Sequence, residues 1–280
     1  GIGGIGVSAL ARYAKDNGAK VSGCDANPTS FLNTLESEGT RILPEAKISA
    51  SEYEVIIRSN AVPREHTLLQ QAHQLGIPVW RRGDILAEIL SDTSSIAVTG
   101  SHGKTTITFL IAHLLTHAGQ DPTVYGGGID LATKTNYRGG KGKWLVAEMD
   151  ESDRTFVAAR PFISVISNLE LEHVDQYPTF NLLKEAFAQY LSGAREDAFW
   201  VMNGDDPVLV ELKPHFVHSD RIVICGQKVH HPYRLLYVEQ KPGGIQIEIA
   251  TPKGNMVIQS RLLGIHNAYN MPMATAAAHL

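Results

Sequence analysis

Residues 96–106 constrain the fold more than any other part of this sequence. They have the pattern of a short apolar strand, a glycine loop and the beginning of a helix. Such a loop can close around an anion, because glycine lets backbone N–H groups turn inward and the helix N-terminus adds a partial positive charge. We therefore predict an α/β fold in which this loop binds the phosphates of a nucleoside triphosphate.

The loop residues have the chemistry that phosphate binding needs. Lys104 brings a full positive charge to the phosphate tail, and Thr105 offers a hydroxyl to Mg²⁺. The spacing differs from the usual phosphate-loop pattern because Val98 stands where the first glycine is expected. A chance match is the alternative for so short a motif. The predicted binding residues are Gly100, Ser101, His102, Gly103, Lys104, Thr105 and Thr106.

The next predicted buried strand covers residues 144–148, and an acidic segment follows it. The strand ends in Glu148, and Asp150, Glu151 and Asp153 come directly after it. Acidic side chains packed this closely repel one another, and a bound cation relieves the repulsion. We predict Glu148 as an Mg²⁺ ligand at the carboxyl edge of the sheet, with a solvated acidic loop as the alternative.

A third strand of this kind, at residues 162–167, precedes His173. Glu172 and Asp175 flank this histidine, which makes it a candidate metal ligand, although a lone histidine is more often structural. Farther along, His266, Asn267 and Asn270 share one face of the last predicted helix. These side chains, two of which are amides, are expected to contact a nucleotide base, unless Asn267 only caps the helix.

The amino-terminal residues predict a second anion-binding loop. Gly1, Gly3, Gly4 and Gly6 fit the pattern G-x-G-x-x-G, and Asp25 follows the next strand. This is the beginning of a βαβ unit that can hold a diphosphate, with a sugar hydroxyl near Asp25. NAD is one candidate ligand, and a tightly packed turn is the alternative.

Other polar positions suggest contacts but leave alternatives open. Ser59 and Asn60 end the strand at 55–59 and are expected at the ligand edge, or in a plain turn. Arg81 and Arg82 can meet phosphate or remain solvated. The glycines at 126–128 allow close approach of a ligand or form a mobile turn.

The length of 280 residues suggests two domains. We place the boundary in a polar linker at 91–94, which gives domains at 1–92 and 93–280. Strict alternation at 245–249 and a turn at 252–255 predict an antiparallel hairpin attached to a mostly parallel sheet. Both ends of the sequence fall inside predicted elements, so we expect a piece of a longer protein.

Composition excludes some classes of function. The net charge of −4 without a basic run argues against a nucleic-acid surface. No apolar stretch reaches the roughly 20 residues that a membrane span needs. Cys24 and Cys225 fall in different halves and need no disulfide, which fits a reducing cytoplasm.

Several segments together make the sequence resemble the Mur ligase family. Their order and spacing cover nearly the whole chain, and the short phosphate loop is the form usual in that family. The matching segments are residues 1–6, 22–25, 100–106, 147–153, 168–177 and 264–270.

The resemblance implies a fold of a Rossmann-like UDP-sugar domain followed by a central P-loop-type ATPase domain. It implies that a third, amino-acid-binding domain is absent from this chain. It also implies a cytoplasmic ATP-dependent ligase of peptidoglycan precursor synthesis. The carboxylate of UDP-N-acetylmuramate would be activated as an acyl phosphate and joined to L-alanine, with no nucleic acid or membrane partner.

The resemblance also implies roles for individual residues, with ATP and Mg²⁺ as cofactors. Lys104 would hold the β- and γ-phosphates, and Thr105 and Glu148 would bind one Mg²⁺. His173 would bind a second metal shared with the acyl phosphate. The loop at residues 1–6 would take the UDP diphosphate. No lysine stands where some members carry a modified one.

The sequence departs from the family pattern at Ser101, Met149 and Ile265, and the last departure puts a nucleotide contact in doubt. Ser152 stands where a related muropeptide-recycling ligase usually has tyrosine, which favours the alanine-adding enzyme.

Two other classes of function stay open. One is a nicotinamide oxidoreductase built on the first loop and Asp25, and the other is a non-catalytic UDP-sugar-binding module.

Overall fold

The computed structural model describes residues 1–152 and 154–280. Asp153, one of the acids in the predicted cluster, lies outside the described residues. The chain packs as two units, of which the first contains residues 1–86 and 125–139 and the second contains 87–124 and 140–280. The segment 125–139 therefore packs with the first unit, although the sequence prediction assigned it to the second domain.

The first unit contains two separate pairs of parallel strands. Strand β1 pairs with β2, and β3 pairs with β4. Small apolar clusters accompany each pair, around Leu35 for one and Leu69 for the other. The elements here are α1 (Ile5–Asp16), β1 (Ser22–Gly23), α2 (Ser30–Ser37), β2 (Arg41–Ile42), β3 (Ile56–Arg58), α3 (Thr67–Gln74), β4 (Val79–Arg81) and α4 (Arg82–Asp92), whose last residues enter the second unit.

The rest of the chain is a larger α/β arrangement. Its strands and helices are β5 (Ser94–Thr99), α5 (Lys104–His117), β6 (Thr123–Asp130), β7 (Thr135–Arg138), β8 (Trp144–Glu148), β9 (Ile163–Ile166), α6 (Phe180–Ser192), β10 (Phe199–Asn203), α7 (Pro207–Leu212), β11 (Ile222–Gly226), β12 (Tyr233–Lys241), β13 (Gly244–Thr251), β14 (Gly254–Ser260) and α8 (His266–His279). Strand β6 begins in the second unit and ends in the first, where β7 follows it.

The sheet of the second unit is mostly parallel, as predicted. Its order is β14–β13–β12–β11–β10–β9–β5–β8. Neighbours from β8 to β12 are parallel, whereas β12, β13 and β14 form an antiparallel meander that contains the predicted hairpin. The predicted fold class is therefore confirmed.

The central strands are buried on both faces, which is why they read as continuous apolar runs. Ile96, Val98, Val146 and Val165 are at most 1% exposed and pack with Ile107 of α5. In a parallel sheet, strands covered in this way deliver the residues that follow them to one common edge. The pairing of Val98 with Glu148 places the end of β8 beside the end of β5.

Strand β7 packs on α1 within the first unit. Tyr137 donates its hydroxyl to Asp16 at 2.7 Å, and the Asn136 amide donates to the Ser8 hydroxyl at 3.2 Å. Arg12 donates to the carbonyl of Tyr137 at 3.0 Å. Burial raises the pKa of the Tyr137 hydroxyl well above its ordinary value. These side chains fix α1 against a segment that lies far from it in sequence.

Two local predictions are wrong. The polar residues 91–94 are not a linker, because α4 continues to Asp92 and β5 begins at Ser94. The hydroxyls of Ser91 and Thr93 donate back to carbonyls four residues earlier, at 2.7 Å each, so these residues extend the helix end. The glycines at 126–128 lie inside strand β6 and do not form a turn.

Within residues 1–152 and 154–280, none of the helices combines the length and the apolar character that a bilayer crossing requires.

His231 is a buried imidazole in the loop between β11 and β12, with a side chain only 2% exposed. A side chain at Gly204 or Gly226 would meet its ring at 2.8 or 2.7 Å. Desolvation lowers the pKa of His231, and Asp205, 4.0 Å away, opposes this shift only in part. The folded protein therefore favours the neutral ring.

This burial predicts an acid-sensitive contribution to stability. The folded pKa of His231 lies below the unfolded value of about 6.5, so protons bind the unfolded chain preferentially as the pH falls through that value. We expect the free energy of unfolding to fall between pH 7.5 and 5.5 more in the unaltered chain than in His231→Asn. Urea unfolding at several pH values measures this, with exposed His215→Asn as the control. A difference between His231→Asn and the unaltered chain that stays constant with pH would contradict the assignment.

Candidate nucleotide-binding site

The predicted phosphate loop forms a tight turn between β5 and α5. Gly100 and Gly103 have φ angles of +118° and +84°, in the left-handed region that favours glycine. A side chain at Gly100 would lie 2.5 Å from the Ser167 hydroxyl, and one at Gly103 would lie 2.7 Å from Asn270 Oδ1. Both the backbone conformation and the close neighbours therefore require glycine at these positions.

The residues that follow β9 hold this loop in place. The backbone N–H of Ser101 donates to the Asn168 carbonyl at 2.9 Å, and that of His102 donates to Asn168 Oδ1 at 2.8 Å. The Ser167 hydroxyl donates to the His102 carbonyl at 2.6 Å. Ser167 and Asn168 were not predicted as site residues, although small polar side chains directly after a buried strand were a signal for them.

Lys104 is the first residue of α5, and its ammonium group lies across the loop. It donates to the carbonyls of Gly100 at 2.6 Å and Ser101 at 3.0 Å. It also forms an ion pair with the carboxylate of Glu151 at 3.1 Å. The Lys104 side chain is 13% exposed and that of Glu151 is 2% exposed, so solvent screens this pair only weakly.

Glu151 connects Lys104 to His173, which the sequence predicted as a metal ligand. The Nε2 atom of His173 lies 3.5 Å from Glu151 Oε1. Burial raises the pKa of Glu151, and the nearby Lys104 charge lowers it by less. Both carboxylate oxygens of Glu151 face Lys104 Nζ, Oε1 at 3.2 Å and Oε2 at 3.1 Å. The sequence prediction included Glu151 in the acidic segment but did not select it as a site residue.

A second pair of predicted ligands also meets at this edge. The Thr105 hydroxyl donates to Glu148 Oε2 at 2.7 Å, which brings the first turn of α5 to the end of β8. Thr106 follows in the same turn. The structure thus brings together the predicted residues Lys104, Thr105, Glu148 and His173.

The donor atoms fit a divalent cation such as Mg²⁺. Ligand atoms of Asp150, Glu151 and His173 lie within 4.8 Å of one another, and Thr105 and Glu148 provide two adjacent oxygens. Hard cations prefer such oxygen donors, whereas the imidazole is a less usual ligand for Mg²⁺.

The predicted face of α8 lies against the phosphate loop through Asn270, next to Gly103. The Asn270 amide donates to Asn267 Oδ1 at 3.2 Å, and the Asn267 amide donates to the Leu263 carbonyl at 2.7 Å. His266 is exposed at the start of the helix. Helix capping by Asn267 is wrong, because the N-cap residue is Ile265 and no side chain caps it.

The glycine loop of the first unit leads into α1, with Gly4 as its N-cap. Asp25 accepts hydrogen bonds from the N–H groups of Gly3 at 2.8 Å and Asn27 at 3.1 Å. Its carboxylate therefore braces the loop. A side chain at Gly6 would lie 2.7 Å from the Arg82 side chain, so this cation lies beside the helix N-terminus.

Three other polar residues of the first unit were predicted near a ligand. Ser59 adjoins Gly1, where an added side chain would be 3.1 Å from Ser59 Cβ, and Asn60 follows Ser59 in the same turn. Arg81 forms an ion pair with Asp84 at 2.7 Å, and its side chain is 40% exposed to solvent.

The Lys104–Glu151 pair predicts a strong coupling in stability. Removing one partner leaves the other charge buried without its counterion, which typically costs about 3–5 kcal/mol. We expect Lys104→Met and Glu151→Gln each to lower the free energy of unfolding by about 3 kcal/mol, and the double variant to lose less than the sum. Urea unfolding measures all three variants. Additive losses would show that the two side chains do not stabilise each other.

Comparison with known proteins identifies related domains over nearly the whole chain. Residues 1–93 match the model of the Mur ligase family catalytic domain, and residues 98–278 match that of the Mur ligase middle domain. The UDP-N-acetylmuramate–L-alanine ligase of Aquifex aeolicus is 37% identical over 99% of this chain, and that of Methylobacterium radiotolerans is 36% identical over 100%. The chain spans 61% of the length of each of these relatives.

Solved structures give the same result for the fold. The UDP-N-acetylmuramate–alanine ligase of Thermotoga maritima superposes with a TM-score of 0.83 at 27% identity, covering 99% of this chain and 63% of that one. A ligase of Neisseria meningitides superposes with a TM-score of 0.86 at 23% identity, covering 100% and 91%, and this likeness concerns the fold alone. The chain belongs to the Mur ligase family.

Proposed function

We propose that this protein is an ATP-dependent ligase that joins L-alanine to the carboxylate of UDP-N-acetylmuramate in peptidoglycan precursor synthesis. The main support is that Lys104, Thr105, Glu148, Glu151 and His173 converge at the end of a glycine phosphate loop. The alanine ligases that match the whole chain favour this reaction over muropeptide recycling and over nicotinamide chemistry.

The reaction needs activation because a carboxylate is a poor acylating agent. The carboxylate oxygen of the sugar nucleotide attacks the γ-phosphorus of ATP, and ADP leaves, which gives an acyl phosphate. The amine of L-alanine then attacks the acyl carbon and loses a proton. Inorganic phosphate leaves as the amide bond forms. The protein contributes alignment and charge stabilisation in both steps.

The described residues suggest how this work is divided. Lys104 would hold the β- and γ-phosphates. Gly100 and Gly103 have no side chains that would keep the phosphates away from the backbone N–H groups. Thr105 and Glu148 would hold one Mg²⁺, and His173 would hold a second, with Glu151 as an added ligand candidate. Bound Mg²⁺ would supply neutralisation of the negative charge on the phosphates.

The other binding roles are proposed on the remaining predicted residues. Ser101, His102 and Thr106 would line the phosphate site, while His266, Asn267 and Asn270 would contact the nucleotide base. The loop at residues 1–6 would bind the UDP diphosphate, with Ser59 and Asn60 at its edge. Asp25 would contribute to diphosphate binding indirectly, by holding the loop through its hydrogen bond from Gly3 N–H.

We also propose the arrangement in which this chemistry takes place. The UDP-sugar-binding domain, expected at residues 1–92, would also include the segment 125–139 that packs with the first unit, and the rest of 93–280 would form the ATP-binding domain. The protein would act in the cytoplasm, with no nucleic acid or membrane as a partner.

The test is the affinity for MgATP, measured by isothermal titration. A charged hydrogen bond to phosphate is worth about 1.5–3 kcal/mol, so Lys104→Ala should weaken binding by roughly tenfold to a hundredfold. Lys213→Ala removes an exposed lysine and serves as the matched control. In the full-length protein, phosphate release with UDP-N-acetylmuramate should be greater with L-alanine than with glycine or serine. Unchanged affinity in Lys104→Ala would remove the main support for the proposal.

A further inference from the structure

The ammonium group of Lys104 has all of its donors engaged at the phosphate loop. An ammonium carries three N–H donors, and two of them are directed to the carbonyls of Gly100 at 2.6 Å and Ser101 at 3.0 Å. The third is left for the carboxylate of Glu151, whose oxygens lie 3.2 and 3.1 Å from Nζ. Asn168 holds the turn that carries the two carbonyls. A phosphate oxygen that approaches Lys104 therefore competes mainly with Glu151.

Glu151 cannot lose this partner without a replacement. Its side chain is 2% exposed, so water cannot solvate the carboxylate in place of the ammonium, and a buried charge without a counterion is strongly destabilised. The adjoining Asp150 adds negative charge to the same place. A cation bound among Asp150, Glu151 and His173, whose ligand atoms lie within 4.8 Å of one another, is the replacement that this cluster offers.

A nucleotide with a metal ion and a nucleotide without one differ in what they bring to Glu151. Metal-free ATP would take the third donor of Lys104 and supply no positive charge in exchange, and its phosphates would repel the carboxylate. A divalent cation that arrives with the phosphates neutralises part of their charge and can bind beside the carboxylate. The cost of separating Lys104 from Glu151 thus falls mainly on the metal-free nucleotide.

We propose that Glu151 is a specificity-determining residue that makes the phosphate site select the magnesium complex of ATP over metal-free ATP. It is a positioning residue, because it acts through Lys104, which it holds until a metal-bound phosphate takes its place. The inference rests on the proposed function, since it takes ATP as the ligand of the loop. Glu148 differs from Glu151 in that its carboxylate contacts Thr105, so as a metal ligand it would act by strengthening the binding of MgATP.

The test is isothermal titration with two probes, ATP in excess Mg²⁺ and ATP in EDTA, on the unaltered chain and on Glu151→Gln. Glutamine keeps nearly the shape of glutamate but carries no charge. We expect Glu151→Gln to bind metal-free ATP about tenfold more tightly, and MgATP within about threefold of the unaltered chain. Glu170→Gln is the matched control, because it removes an exposed carboxylate beside the loop that contacts His102. It should change neither affinity by more than about twofold.

Three results would overturn the proposal. One is an unchanged affinity of Glu151→Gln for metal-free ATP. Another is weaker binding of metal-free ATP, which would show that Glu151 only keeps Lys104 in place for phosphate. The third is a loss of preference that comes entirely from weaker MgATP binding, which would make Glu151 a metal ligand only. If Lys104→Ala weakens MgATP binding while Glu151→Gln gives any of these results, the proposed function stands and this inference fails.

A second variant, Glu151→Asp, covers the case in which Glu151→Gln does not fold. Aspartate keeps the negative charge, but its side chain is shorter by one methylene group, so the carboxylate withdraws from Lys104. We expect Glu151→Asp to bind metal-free ATP about threefold more tightly than the unaltered chain, with a smaller change for MgATP. An affinity for metal-free ATP that is unchanged or lower in this variant would overturn the proposal.

Discussion

The ion pair between Lys104 and Glu151 is the interaction on which the candidate site depends. A carboxylate that is only 2% exposed is tolerated because the lysine of the phosphate loop lies 3.1 Å away. We propose that the same lysine binds the phosphates of the nucleotide, so nucleotide and Glu151 would compete for one cation. A divalent metal beside Glu151, Asp150 and His173 would supply positive charge when the lysine turns to phosphate.

The parallel sheet makes this meeting possible. Residues 100 and 167 directly follow buried strands, and residue 148 is the last residue of another buried strand. The order β8–β5–β9 puts the ends of these strands next to one another. The loop that results is held by Asn168 and Ser167 on one side and by Asn270 of α8 on another. Glycine is therefore required at 100 and 103 by tertiary packing as well as by the turn.

Much of this arrangement could be predicted from the sequence because apolar runs and glycines are local signals. Strand 144–148 has the predicted bounds, and α5 begins at Lys104, within one residue of its predicted start. What could not be predicted depends on contacts between distant residues. Glu151 could be distinguished from its acidic neighbours only by its burial against Lys104. The polar residues 91–94 suggested a linker because the sequence does not show hydroxyl groups that donate back into a helix.

The crossing of β6 between the units affects how the molecule can be divided. The chain passes from one unit to the other at 86/87, at 124/125 and again at 139/140. A fragment that stops near residue 92 would therefore lack Asn136 and Tyr137, which hold Ser8 and Asp16 of α1. Residues 1–92 are thus not an autonomous module in the sense of a contiguous sequence. The segment that completes the packing of α1 is synthesised about 40 residues after residue 92, so a ribosome must extend well past that residue before these contacts can form.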